Sequence, residues 1–171
     1  MFETEQQMSL MFEKFLKANF GNAYLKECQG LFGVPDFVFY AKQKQAVSII
    51  SFELKLKNWK KAAKQAFRYK SFSNISYVVL CSKSSTVAVN NIALFEKYNI
   101  GLAKFDTDSD FEILYKPKFS TPYSDNLNQK LVETISSSRK KSKNIETLIS
   151  TVEKNTNCQL AFGKKADSEL K

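Results

Sequence analysis

Histidine is absent from this 171-residue sequence. That excludes Ser-His-Asp and Cys-His nucleophilic chemistry, histidine general bases and histidine-ligated metals within the chain. Cysteine is sparse: Cys28, Cys81 and Cys158 lie far apart, with no CxxC spacing. Three such residues cannot build a four-thiolate zinc site, and an odd, scattered set suits a reducing compartment. Cys28 and Cys81 stand in apolar contexts and read as core thiols. No apolar run approaches the length of a membrane span and no leader pattern opens the chain, so a soluble, cytoplasmic protein without membrane partners is expected. No internal repeat is visible. Any chemistry must come from carboxylates, lysines, hydroxyls and an ion taken from solution.

The residues that are present describe a globular chain with a real core. Apolar residues make up 43%, and 15 of them are Phe. The net charge is +9, from 26 basic and 17 acidic side chains. Such an excess points to a polyanionic partner, with nucleic acid favoured over an acidic membrane surface. The plainer alternative is a lysine-rich, well-solvated surface.

Periodicity gives the order of elements. Thr4 to Asn19 reads as an amphipathic helix with Met8, Phe12, Phe15 and Leu16 on one stripe, Thr4 as N-cap and Gly21 past the end. Strands are predicted over 23–29, 36–41 and 47–56, the last two joined by a polar turn at 42–45. A helix capped by Asn58 follows over 59–72. Ile75 to Cys81 is a continuous apolar run, as a strand covered on both faces would be. A crossover helix over 86–98 and strands over 100–105 and 111–115 complete the set. Helix, three strands, helix, strand, helix, two strands: this order predicts an α/β fold, a mixed sheet flanked by helices.

The stretch from Gly33 to Tyr69 concentrates the chemistry. In Ser48–Lys57, Ile50, Phe52, Leu54 and Leu56 share one face and Ser51, Glu53, Lys55 and Lys57 the other. Asp36 opens the preceding strand directly after Pro35, a residue that can begin a strand but not sit in its middle. If the two strands form a hairpin, Asp36 lies beside Glu53. Two close carboxylates repel and require positive charge, which a hard divalent cation and Lys55 both supply. Downstream, seven basic residues and no acid fall between Lys55 and Lys70. Lys60, Lys64 and Arg68 repeat every fourth position as one row, with Lys61, Gln65 and Tyr69 in the adjacent row. A row of this kind is either a solvated face or a set of phosphate contacts.

Pro35-Asp36, a hairpin, Glu53-Leu54-Lys55 and then Gln65 to Tyr69 as QxxxY together resemble the PD-(D/E)XK nuclease superfamily and its RecB-like branch, over roughly residues 3–115. The resemblance implies a restriction-endonuclease-like fold and a Mg²⁺-dependent nuclease, with Mn²⁺ as a substitute ion. It assigns Asp36, Glu53 and the backbone carbonyl of Leu54 to the metal, and Lys55 to the attacking water or the scissile phosphate. Glu5, on the inward face of the first helix, would be an extra acid near the metal; it reads equally as a first-turn acid answering the helix dipole. Glu13, at the edge of the same stripe, is the weaker candidate. Gln65 and Tyr69 would hold the site's geometry or touch the nucleic-acid backbone, alongside Lys60, Lys64 and Arg68. The expected substrate is double-stranded DNA cut internally. RNA-directed or exonucleolytic action is the alternative within the fold, and a catalytically idle module binding nucleic acid or a partner is the alternative outside it.

Composition changes after Pro117. Residues 118–171 form a basic extension beyond a 1–117 core, with helical spacing at 125–136 and 145–154 and a frayed tail from Gly163. The extension is expected to dock on the core, pair subunits or hold nucleic acid, and to be removable without unfolding the core.

Overall fold

A computed structural model describes residues 1–149. Six strands form one mixed sheet in the order β1-β2-β3-β4-β5-β6. They are β1 (Tyr24–Lys26), β2 (Phe37–Lys42), β3 (Val47–Lys55), β4 (Ile75–Leu80), β5 (Gly101–Phe105) and β6 (Phe111–Tyr115). β1, β2 and β3 pair antiparallel, β3, β4 and β5 parallel, and β6 returns antiparallel on β5. The fold is therefore α/β, and the parallel steps are those bridged by helices. Among the described residues no helix is long and apolar enough to cross a membrane.

Helix α1 (Glu5–Phe20) covers one face of the sheet. Its Thr4 cap is formed by the side chain accepting from Gln7 N, and Gly21 leaves the helix at φ +91°. Met8, Phe12 and Leu16 are buried against Phe37, Phe52, Leu54, Tyr77 and Phe105. Phe12 is the centre of this layer, its ring 5.2 Å from Phe105, 5.4 Å from Phe52 and 5.6 Å from Phe37. Truncating it to Ala removes both apolar burial and ring contacts, a loss of about 3–5 kcal/mol.

Three of the helices on the opposite face lie between β3 and β5 in the chain. α2 (Trp59–Tyr69) lays Ala62, Ala63 and Ala66 on Val78, Leu80 and Leu102, small side chains that allow close approach to the sheet. The expected single crossover helix is two, α3 (Ser82–Val89) and α4 (Ile92–Tyr98). The break falls at Asn90-Asn91, residues that compete for backbone hydrogen bonds and so end helices readily. α3 also starts earlier than expected, directly after β4.

The alternation read in β3 is real, but both of its faces are covered. Ile50, Phe52 and Leu54 meet α1, while Ser51 and Glu53 lie under α2, 0% and 2% exposed. The polar face is dry at Ser51 and Glu53. β1 is shorter than the 23–29 expected because Glu27 adopts a left-handed φ of +49° and turns the chain out of the ladder. α2 ends at Tyr69, three residues early, where Ser71, Phe72 and Ser73 amides return to Arg68 and Tyr69 carbonyls.

Residues 118–149 pack against the core. α5 (Asp125–Ser136), capped by Ser124, inserts Leu131 and Ile135 into a cluster with Val38, Tyr40, Ile49, Tyr69 and Phe72. Lys42 donates to the carbonyls of Ser136 and Ser138, and Asn128 donates to Phe72 O. Beyond a short turn of helix at Ile145–Leu148, Leu148 is buried with the α1 layer and its carbonyl accepts from the Tyr77 hydroxyl at 2.6 Å. The segment completes the core because Val38, Tyr40 and Ile49 offer an apolar second face that α2 reaches only with Tyr69 at its end. The helix expected to continue to Lys154, the tail from Gly163 and Cys158 lie outside the described residues. Of the other cysteines, Cys81 is buried as expected and Cys28 is half-buried.

Candidate functional site

Hairpin register brings the two acids together. β2 pairs Phe37 with Phe52, so the next rung sets Asp36 across from Glu53. Side chains directly opposite in an antiparallel pair share a face. Asp36 is fixed by its Oδ2, which accepts from Leu54 N at 2.7 Å. Glu53 is fixed from above: the Tyr69 hydroxyl of α2 donates to its Oε2 at 2.6 Å and to Val34 O at 3.0 Å. Tyr69 reaches this position through Gly33, whose φ is +90° and where an added Cβ would lie 2.9 Å from the tyrosine ring. The loop before Pro35 thus needs glycine for backbone conformation and for space.

Lys55 sits at the rim, its ammonium 3.1 Å from Glu5 Oε2 and 3.6 Å from Glu53 Oε1. Glu5 also accepts from Leu56 N at 3.4 Å, so α1 reaches the end of β3 through this one acid. The Glu5 position expected from the first-helix stripe is therefore at the site. Glu13 is not: it accepts from Tyr24 and pairs with Lys26 and Lys17.

The electrostatics follow from burial. Glu53 is pushed up to about 7, first by desolvation and then by the Asp36 charge, against the opposing pull of Tyr69 and Lys55. Asp36 is also raised, chiefly by burial, while the Leu54 amide and Lys55 work the other way. Burial disfavours the Lys55 charge, but Glu5, Glu53 and Asp36 outweigh it and hold the ammonium above its ordinary value. Burial and then Glu53 raise Tyr69, which keeps its proton as a donor. Without added positive charge, two carboxylates in this position are under electrostatic strain.

An open cavity of about 520 Å³ reaches the cluster, lined by Glu5, Ser9, Lys26, Glu27 and Asp36 among others. Glu27 was not visible as a site residue in the sequence. Its amide donates to Asp36 O at 3.0 Å and its charge adds to the rise at Asp36. Nothing local marks it, because its place depends on the left-handed turn after β1.

The oxygen-rich donor set suits a hard cation. Among the described residues no three His, Cys, Asp or Glu side chains form a ready-made cage. Mg²⁺ does not require one, since it is usually held by one or two carboxylates and keeps several waters. Asp36 and Glu53 are such a pair. Gln65 adds a further unsatisfied acceptor: its Oε1 is buried with no hydrogen-bond partner.

The other expected residues divide. Tyr69 is part of the cluster and Gln65 adjoins it; Leu54 contributes its amide, with its side chain in the α1 core. Lys60, Lys64 and Arg68 are exposed along α2 and do not enter the cluster. The Arg68 guanidinium lies 5.6 Å from the Phe32 ring and the Lys60 ammonium 5.8 Å from Trp59. No family model, curated protein or solved structure matches the chain.

Proposed function

We propose that this protein is a divalent-cation-dependent nuclease of the PD-(D/E)XK type, with Mg²⁺ as its ion and DNA as its substrate. The observation carrying the reading is the buried Glu53 carboxylate set across from half-buried Asp36 and beside Lys55. Burying like charges together is costly, and a structural role would be served as well by an apolar pair. Asp36, Glu53 and the Leu54 carbonyl would hold the cation. When bound, such an ion stabilises charge on a phosphate oxygen and lowers the pKa of a water.

The remaining roles belong to the chain's own groups. The Leu54 amide orients Asp36, and Tyr69 orients Glu53 from the helix side. Lys55 positions the attacking water or the scissile phosphate, and Glu5 holds the lysine at the mouth of the cleft. The open cavity on the Asp36 side supplies the approach for a strand. Exposed Lys60, Lys64 and Arg68 contact phosphates away from the reacting bond.

The test is cleavage of plasmid, linear duplex, single-stranded DNA and RNA, with Mg²⁺ or Mn²⁺ and with chelator, comparing wild type with Glu53→Gln. Cation-dependent cleavage by wild type alone supports the reading. Equal cleavage by both, or none by wild type on every substrate, refutes it.

A further inference from the structure

The far flank of α2 carries a second site. A groove of about 440 Å³ runs between α2 and α4, with Trp59, Phe67 and Tyr98 along its wall and Lys60, Lys64 and Arg68 at its rim. No acidic residue is among its lining, and none of the three cations forms an ion pair with an acid among the described residues. Phe67 and Tyr98 are 39% and 40% exposed, although both are large apolar side chains. They meet edge to face at 5.3 Å, and Tyr123, 64% exposed, extends the aromatic surface 6.1 Å from Phe67. Packing within the chain does not account for three neighbouring half-open rings under a row of cations.

We propose that this groove binds an unpaired nucleotide of a single-stranded nucleic acid, its base on the Phe67–Tyr98 wall and its phosphates on the lysine–arginine row. Every base has a π-face, so aromatic walls with a cationic track take single strands with little sequence preference. Neighbouring cations in the row are about 6 Å apart along the helix axis, comparable with the step between phosphates of one extended strand. A duplex keeps its bases stacked inside and cannot offer one to the wall. An acidic peptide would use the cations but leave the ring faces without a flat partner. The proposal deepens the nuclease reading, and rests on it in taking the anionic ligand to be nucleic acid. It gives that enzyme a substrate with a single-stranded segment beside the cut.

The test measures anisotropy of labelled oligothymidylate, a blunt duplex of equal length and polyglutamate, in chelator so that cleavage plays no part. Trp59, the only tryptophan, reports occupancy of the groove. Tight binding of oligothymidylate over duplex and polyglutamate, with quenching of Trp59, is expected. Phe67→Ala with Tyr98→Ala, at half-exposed positions that spare the core, should weaken oligothymidylate roughly 5- to 150-fold, the loss of a stacked base. Unchanged affinity in the double variant, duplex binding as tight as single strand, or no quenching at saturation overturns the proposal. Polyglutamate binding more tightly than oligothymidylate also overturns it and assigns the groove to an acidic protein. Absence of cleavage on every substrate would refute the nuclease reading while leaving these binding outcomes in force. Duplex cleavage with no single-strand binding would do the reverse.

Discussion

On the Gln65–Tyr69 flank of α2, charge is buried, held by short hydrogen bonds and shifted in its titration. On the Trp59–Phe67 flank, charge stands in solvent beside aromatic rings. One helix therefore borders two electrostatic regimes. Interactions between groups out of water are strong and scarcely screened, while those at an open surface weaken as salt is added. The first regime suits bond cleavage, where charge must be placed to within a fraction of an ångström. The second suits holding a long polyanion that must also leave.

The largest effect should come from disturbing the buried flank. Glu53→Gln and Asp36→Ala are each expected to lower Mg²⁺-dependent cleavage on the order of 10³-fold or more, or ~4 kcal/mol of activation free energy. Circular dichroism should show the Glu53→Gln fold intact, since the amide can still accept from Tyr69. Cleavage retained within tenfold in both variants would erase the functional distinction between the flanks.

Leu131→Ala tests whether the extension supports that flank. Leu131 packs with Tyr69 and Phe72, so its truncation should lower stability by about 2–5 kcal/mol, measured by urea unfolding. Cleavage should fall with it as Tyr69 loosens, while affinity for oligothymidylate in the α2–α4 groove stays close to wild type. A stability change below about 1 kcal/mol would restore the idea of a removable extension.

The pH dependence of stability gives a third measure. Glu53 titrates near 7 in the folded chain and about 4.5 when unfolded. Between these values the folded state holds a proton that the unfolded state has released. The contribution of this group to stability is therefore fully present below about pH 4.5, is lost as pH rises through about 7, and does not change beyond. The loss is about 3 kcal/mol in cation-free protein, with Asp36 adding in the same direction. Glu53→Gln should remove most of this slope, and saturating Mg²⁺ should offset it in wild type by binding the charged form. An identical slope in Glu53→Gln would mean that Glu53 is not the titrating group.

The smallest change is expected on the exposed flank. Lys60→Ala, Lys64→Ala and Arg68→Ala combined should lower nucleic-acid affinity equally at all sequences. They should also flatten the plot of log affinity against log salt by roughly 0.7–0.9 for each phosphate no longer neutralised. Folding stability should be unchanged. An unaltered salt slope would make the row an ordinary solvated face.

Much of the cluster's geometry was legible because it depends on local pattern. The alternation at Ser48–Lys57 put Glu53 and Lys55 on one face, and Pro35 marked where the partner strand starts, so Asp36 beside Glu53 followed from hairpin pairing alone. The α1 stripe likewise placed Glu5 on the inward side, where it now holds Lys55. Glu27 was invisible because a left-handed turn, not a periodicity, delivers it. The broken crossover helix was missed because apolar spacing runs on across Asn90-Asn91 while the backbone does not.

By itself, the sequence determined the order of the strands, the α/β class, the hairpin that pairs the acids and the basic row on α2. These rest on side-chain period and on turn and cap residues, which act over a few positions. Only the tertiary structure decided which faces are dry. β3 has an alternating pattern whether its polar side meets water or a helix, and it is the seating of α2 that buries Glu53 and drives its pKa upward. The role of residues 118–149 was decided there too. An amphipathic helix declares an apolar face but not its partner, and Leu131 and Ile135 find theirs in Val38, Tyr40 and Tyr69, residues distant in the chain. The α2–α4 groove is tertiary for the same reason: its cations lie on one helix in sequence, but its wall exists only where α4 packs beside it.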